Sequence, residues 1–137
     1  MTTIAHATGS FDGTTPAYRV DIAVGRHQVT ADEPVAGGGG DLGPSPFGLL
    51  LSGLAACTAI TLRMYASRKG WELRTLDVDV RYEVDVEKKG KVLRAITLPS
   101  DLSPEQRQRL GEIAERTPVT LALRQGTPID TTLLTSP

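Results

Sequence analysis

From Gly43 to Trp71 the chain reads GPSPFGLLLSGLAACTAITLRMYASRKGW. Ser45 suits a helix N-cap, Pro46 the first helical position and Gly70 the residue just past the end. This spacing predicts one helix from Pro46 to Lys69, about 36 Å long. Arg63, Arg68 and Lys69 fall toward its C-terminal end, where the helix dipole favours positive charge. Nearly every side of the helix is apolar, and such a helix must be covered all round. A chain of 137 residues builds only a modest core. One copy would struggle to cover both sides. Ser52, Gly53, Ala55 and Ala56 are small enough to admit a second helix closely. The expectation is therefore a homodimer whose two long helices lie near each other, wrapped by sheets.

Cys57, the only cysteine, sits in the middle of this helix. It is either inert packing or a sheltered nucleophile, and composition does not decide between them. Buried cysteine ordinarily behaves as a small hydrophobe. A reactive one must be held as thiolate, which burial alone opposes. The helix start is about eleven residues away by the 1.5 Å rise, too far to help much. A cation must come from elsewhere in the dimer, and Arg19 and Arg26 on the N-terminal ribbon are the candidates. Arg63, six positions on, falls on a different face.

The flanking segments alternate. Residues 3–9 and 17–24 read as strands joined through Phe11-Asp12-Gly13, and Gly25-Arg26 turns into a third strand, His27–Thr30. Gly37–Gly40 reads as a mobile loop. Leu73–Val84 alternates, with Leu76, Val78, Val80, Tyr82 and Val84 on one face. Glu87–Gly90 turns it back into Val92–Leu98. Ser103-Pro104-Glu105-Gln106 opens a second helix with a capping box, whose buried stripe is Leu110, Ile113 and Ala114. Pro118 starts another short helix ending near Gly126, and Ile129–Leu134 reads as a closing strand. The order of strands, long helix, hairpin, helices and strand is α+β. There is no internal repeat, so residues 1–137 are expected to form one domain.

The totals exclude several function classes. Net charge is −1 and aromatic residues are 4% of the chain, which leaves neither a basic footprint nor stacking platforms for nucleic acid. The start MTTIAHATGS lacks the basic flank and apolar run of a signal peptide. Ser52, Gly53, Thr58 and Thr61 interrupt the long apolar stretch, which is read as falling short of a span of roughly 20 apolar residues. A lone thiol suits a cytoplasmic, reducing compartment. No membrane or nucleic-acid partner is expected.

The smaller candidates have plainer readings. The glycine run lacks both Gly-Lys-Ser/Thr and a strand-to-helix G-x-G-x-x-G, so phosphate binding has no support. Ser45 lacks the second glycine of a nucleophile elbow and is better read as a cap. His6 and His27 are too scattered to hold a metal with Cys57. Asp32 and Glu33 read as turn residues before Pro34, not a paired acid site. Trp71 is expected to pack on the helix end, and Thr117 to cap the helix begun by Pro118.

The run ADEP…GGGGDLGPSPFGLLLSGLAACTAITLRMYASRKGWEL resembles the OsmC/Ohr family of osmotically inducible and organic hydroperoxide resistance proteins. It looks most like the branch of OsmC-like proteins with GPSP, a leucine-rich run, A-C-T, T-L-R-M-Y-A and K-G-W. The segment DLSPEQRQRLGEIAERTPVTLAL…PIDTTL fits the same branch. The resemblance runs from about Tyr18 to the end. It implies antiparallel sheets wrapped around a long central helix in an intertwined homodimer, with active sites at the subunit interface. In peroxidase members one cysteine attacks a hydroperoxide and a second, in Cys-Pro-Val, resolves it. Cys57 stands in the first place, whereas the second motif reads Thr117-Pro118-Val119. Phe47 stands where Ohr members carry a glutamate, and Phe11 where they carry an arginine. Thr120 and Leu121 replace the His and Arg that often follow Cys-Pro-Val in the nearest branch.

The resemblance implies a one-cysteine, peroxiredoxin-like hydroperoxide reductase of the oxidative stress response. Cys57 would be its nucleophile, and Arg19 and Arg26, chosen from the ribbon and not by the resemblance, stay the candidate cations. It would need no cofactor beyond an external thiol. Phe47, Leu50, Leu54, Ile60 and Met64 would line the site and favour an organic hydroperoxide, with Thr117 at the place of the second thiol. Two alternatives stay open: a non-enzymatic dimer that binds an apolar small molecule at its interface, and a stress-associated structural dimer with neither activity.

Overall fold

The computed structural model describes all 137 residues. In chain order it contains β1 (Ala7–Ser10), β2 (Val20–Val24), β3 (His27–Ala31), a 3-10 turn (Val35–Gly37), α1 (Pro46–Arg68), β4 (Asp77–Val84), β5 (Gly90–Thr97), α2 (Pro104–Ala114) and α3 (Pro118–Gln125). The architecture is α+β, with two small antiparallel sheets. Two compact units are present: residues 1–52 with 82–91, and residues 53–81 with 92–137.

In the first unit the sheet runs in the order β1-β2-β3. Ala7 pairs with Val24 and Val20 with Ala31, antiparallel throughout. Gly25 takes φ 57° in the two-residue connection to β3, a left-handed conformation that tight hairpins demand and glycine adopts freely. The glycine run that follows is tied down by hydrogen bonds. Gly37 and Gly39 donate to the Pro34 carbonyl, at 2.8 and 3.1 Å. Gly40 donates to Asp32 Oδ2 at 3.1 Å. A Cβ on Gly39 would lie 2.0 Å from the Glu33 carbonyl oxygen, so no other residue fits there.

The second unit holds the core. Leu62, Leu102, Leu110 and Ala114 form its buried centre, with Tyr65, Trp71, Leu73, Leu76, Ile96, Leu98 and Ile113 packed around them. Its helices start and stop as their caps predict. Ser103 and Gln106 make both bonds of a capping box. At the end of α1, Trp71 N–H reaches the Ala66 carbonyl at 2.8 Å and Gly70 N–H the Ser67 carbonyl at 3.1 Å. With Gly70 at φ 73° this is a Schellman ending. Trp71 then packs edge-on against Tyr65, with centroids 5.7 Å apart.

Three expectations need correction. Ile129–Leu134 forms no strand; Ile129, Leu133 and Leu134 stand in solvent. A segment becomes a strand only where a neighbouring edge takes its hydrogen bonds, and neither sheet pairs with this one. The strands predicted at residues 3–9, 17–24 and 73–84 begin later, at Ala7, Val20 and Asp77. Finally, α1 is long and apolar enough to cross a membrane by length and composition alone. Its interruptions are cheap because their hydroxyls bond back to the helix: Ser52 to the Gly48 carbonyl and Thr58 to the Leu54 carbonyl, each at 2.7 Å.

Candidate functional site

Helix α1 presents two different faces. Leu54, Thr58, Leu62 and Ala66 are its buried residues, spaced four apart on one stripe. Ser45 sets the starting register by accepting from Gly48 N–H at 3.1 Å. On the other side Leu50, Gly53, Cys57, Ile60 and Met64 follow one another at steps of three and four. That is the period of a helix-to-helix seam. Leu50, Ile60 and Met64 are 42%, 58% and 49% exposed. The chain covers one face of its longest apolar helix and leaves this one bare.

Cys57 is half-buried at the middle of the bare stripe. Its Sγ lies 3.9 Å from Thr61 Oγ1, one turn on. Phe47 is exposed and stacks on Tyr82, with ring centroids 4.6 Å apart. Leu50 belongs to the seam, while Leu54 is buried on the opposite stripe.

Arg19 and Arg26 belong to the first unit and Cys57 to the second. Arg19 Nε lies 3.4 Å from Asp21 Oδ1, and its charge also acts on Asp32. Arg26 is an exposed turn residue. Asp32, read from sequence as a turn residue, is buried and organises the loop around it. Its carboxylate accepts from Glu33, Gly40 and Leu42 N–H at 2.7, 3.1 and 3.2 Å. Burial pushes its pKa up, but the N–H groups of Leu42, Glu33 and Gly40, with Arg19, outweigh burial and hold it below the ordinary value.

Sequence reasoning missed a polar cluster in the second unit. Arg94 Nη1 donates to Thr58 Oγ1 at 3.0 Å and to Thr120 Oγ1 at 2.8 Å. Its Nη2 donates to the Ala114 carbonyl at 2.9 Å. Thr117 and Thr120 share a hydrogen bond of 2.6 Å, and Thr117 Oγ1 accepts from Thr120 N–H as the cap of α3. Thr58, Thr117 and Thr120 are all buried. The signal was present in the sequence. Arg94 occupies the inward phase of β5 shared with Val92 and Ile96, where an apolar residue is the rule. No group of three or more His, Cys, Asp and Glu side chains forms a metal site.

Residues 38–132 match the family model described as OsmC-like protein. Among solved structures, an OsmC-like protein from Mycoplasma pneumoniae superimposes with a TM-score of 0.74 at 21% identity, over 92% of this chain and 90% of that one. An organic hydroperoxide resistance protein from Legionella pneumophila gives 0.65 at 21% identity, over 89% and 90%. Organic hydroperoxide resistance protein OhrB of Bacillus subtilis gives 0.60 at 23%, over 90% and 93%. These superpositions show a common fold. A search of curated protein sequences finds no match. With most of its length matched by the family model and its fold shared with these structures, the chain belongs to the OsmC-like protein family.

Proposed function

We propose that the chain works as a homodimer in which Cys57 reduces small organic hydroperoxides. The observation that carries this reading is the place of Cys57 at the centre of the bare apolar seam on α1. A second copy laid on that seam would shelter the sulfur and surround it with Leu50, Ile60 and Met64, an apolar lining suited to an organic substrate. The hydroperoxide resistance proteins of Legionella pneumophila and Bacillus subtilis, which share the fold, support the choice of substrate class.

The chemistry balances on one sulfur. The thiolate attacks an oxygen of ROOH, the S–O bond forms as the O–O bond breaks, and the alkoxide leaves and takes a proton as ROH. Cys57 becomes a sulfenic acid. Thr117 holds the place of the second thiol and makes no disulfide, so an external thiol must condense with the sulfenic acid and release water. A second external thiol then frees Cys57 by exchange. A cytoplasmic setting would provide such thiols. Arg19 and Arg26 remain the candidates for holding the thiolate, supplied across the dimer.

A second reading is favoured by Thr117. It is fully buried and caps α3, a structural role that needs no second thiol. In that reading the dimer binds an apolar molecule and Cys57 only packs. Cumene hydroperoxide separates the two. Intact mass should gain one oxygen, or a sulfenic-acid trap adduct, on Cys57 of the folded protein. Absence of both under non-denaturing conditions refutes the peroxidase and favours a dimer without that activity.

A further inference from the structure

Beyond Cys57, the second unit contains a cavity of about 380 Å³ lined by Leu54, Val92, Arg94, Glu115, Thr120, Leu123 and Arg124. Cys57 is not among its walls. This volume falls in the usual range for small-molecule sites. One part of the wall is apolar, from Leu54, Val92 and Leu123. The other is cationic. Arg124 is paired with Glu115 at the exposed rim. Arg94 has only neutral partners: two threonine hydroxyls and one carbonyl. With two cations and one carboxylate on the wall, one positive charge is left over, and it belongs to Arg94.

A clamp between α1, α2 and α3 accounts for the three hydrogen bonds of Arg94. It does not account for a full charge, half-buried and without a carboxylate, which carries a desolvation cost that neutral partners repay poorly. The bonds also use only part of the donor fork that a guanidinium presents. An anion in the cavity would offset the charge and meet a planar group built for carboxylates.

We propose that this cavity is a binding site for a monocarboxylate with a short apolar tail. The carboxylate sits at Arg94, and the tail lies along Leu54, Val92 and Leu123. A single net charge fits a monoanion better than a phosphate, and the apolar wall fits a hydrocarbon tail. The site stands apart from the hydroperoxide reading, because it uses neither Cys57 nor the seam.

Calorimetric titration of the full chain with sodium octanoate tests the proposal. One octanoate should bind per chain, with affinity falling as salt rises. Octan-1-ol and inorganic phosphate should each bind at least tenfold more weakly. Arg94→Gln should weaken octanoate at least tenfold with the circular dichroism spectrum retained. If that variant does not fold, Leu123→Glu serves instead, since it sets a like charge beside the tail and should cost at least as much. Cys57→Ser should bind octanoate as the parent does, so failure of the hydroperoxide chemistry leaves this test untouched. Equal binding of octanol and octanoate, or unchanged octanoate affinity in a folded Arg94→Gln or Leu123→Glu variant, overturns the proposal.

Discussion

Replacing Ile60 by alanine removes three carbons from the bare seam of α1 without touching the folded core. Fully buried, those carbons would be worth about 2.4 kcal/mol at the usual value per methylene. Ile60 is 58% exposed in the single chain, so a covering helix gains roughly 1.4 kcal/mol from it in each copy. A two-fold dimer uses the same patch twice, which brings the loss to about 2.8 kcal/mol, or about 100-fold in the dimer dissociation constant. Sedimentation velocity across a concentration series reads this directly. Ile60→Glu should go further and leave only monomer, because a carboxylate would be buried without a partner. Thermal stability of the Ile60→Ala monomer should stay close to that of the parent monomer, since the residue contributes little within one chain. If the parent is monomeric at every concentration tested, or if Ile60→Ala leaves dimerisation unmoved, the seam is not the covered face and the argument for a sheltered Cys57 fails.

Other consequences are read by simpler measurements. Leu62→Ala, at a fully buried position in the core, should cost about 3 kcal/mol in urea denaturation; a loss below 1 kcal/mol would mean the site collapses freely around the gap. Asp32 has a folded pKa below its unfolded one. Its contribution is therefore complete above the unfolded value, near pH 4, and is lost as pH falls through the lower folded value. Asp32→Asn should flatten the acid limb of stability against pH, and coincident limbs would refute the assignment. Thr117→Val should lower stability by about 1 kcal/mol through loss of the α3 cap, and Thr117→Ser should restore most of it. Equal stability of the Val and Ser variants would show that the hydroxyl has no capping role.

What was legible in the sequence is what short-range chemistry decides. Ser45-Pro46, Ser103-Pro104 with Gln106, Thr117-Pro118 and Gly70 mark the helix ends because each satisfies backbone groups within a few residues of itself. Strands were less legible, because pairing depends on distant residues. Ile129–Leu134 reads as a closing strand, yet no sheet edge takes it. Asp32 gave no sign of its burial, because the groups that satisfy it come from a glycine loop up to ten residues away. Arg94 is masked in the sequence because arginine ordinarily points outward. Its inward phase on β5 mattered only once the three acceptors facing it were known. The bareness of the seam was the converse case: sequence demanded cover on all sides of α1, and folding supplied it on one.

The two faces of α1 are also linked. Thr58 donates to the Leu54 carbonyl and accepts from Arg94, so its side chain is held by its own helix and by β5 at once. Arg94 also donates to Thr120, which is joined to Thr117. A path of hydrogen bonds therefore runs from Thr117, at the start of α3, to the residue beside Cys57. Successive helix residues are about 100° apart around the axis. Fixing Thr58 therefore fixes the direction of Cys57, and it does so on the side that the chain leaves uncovered. Thr117, buried at the start of α3, thus stands at the far end of the path whose near end, Arg94 on Thr58, holds the rotation of α1.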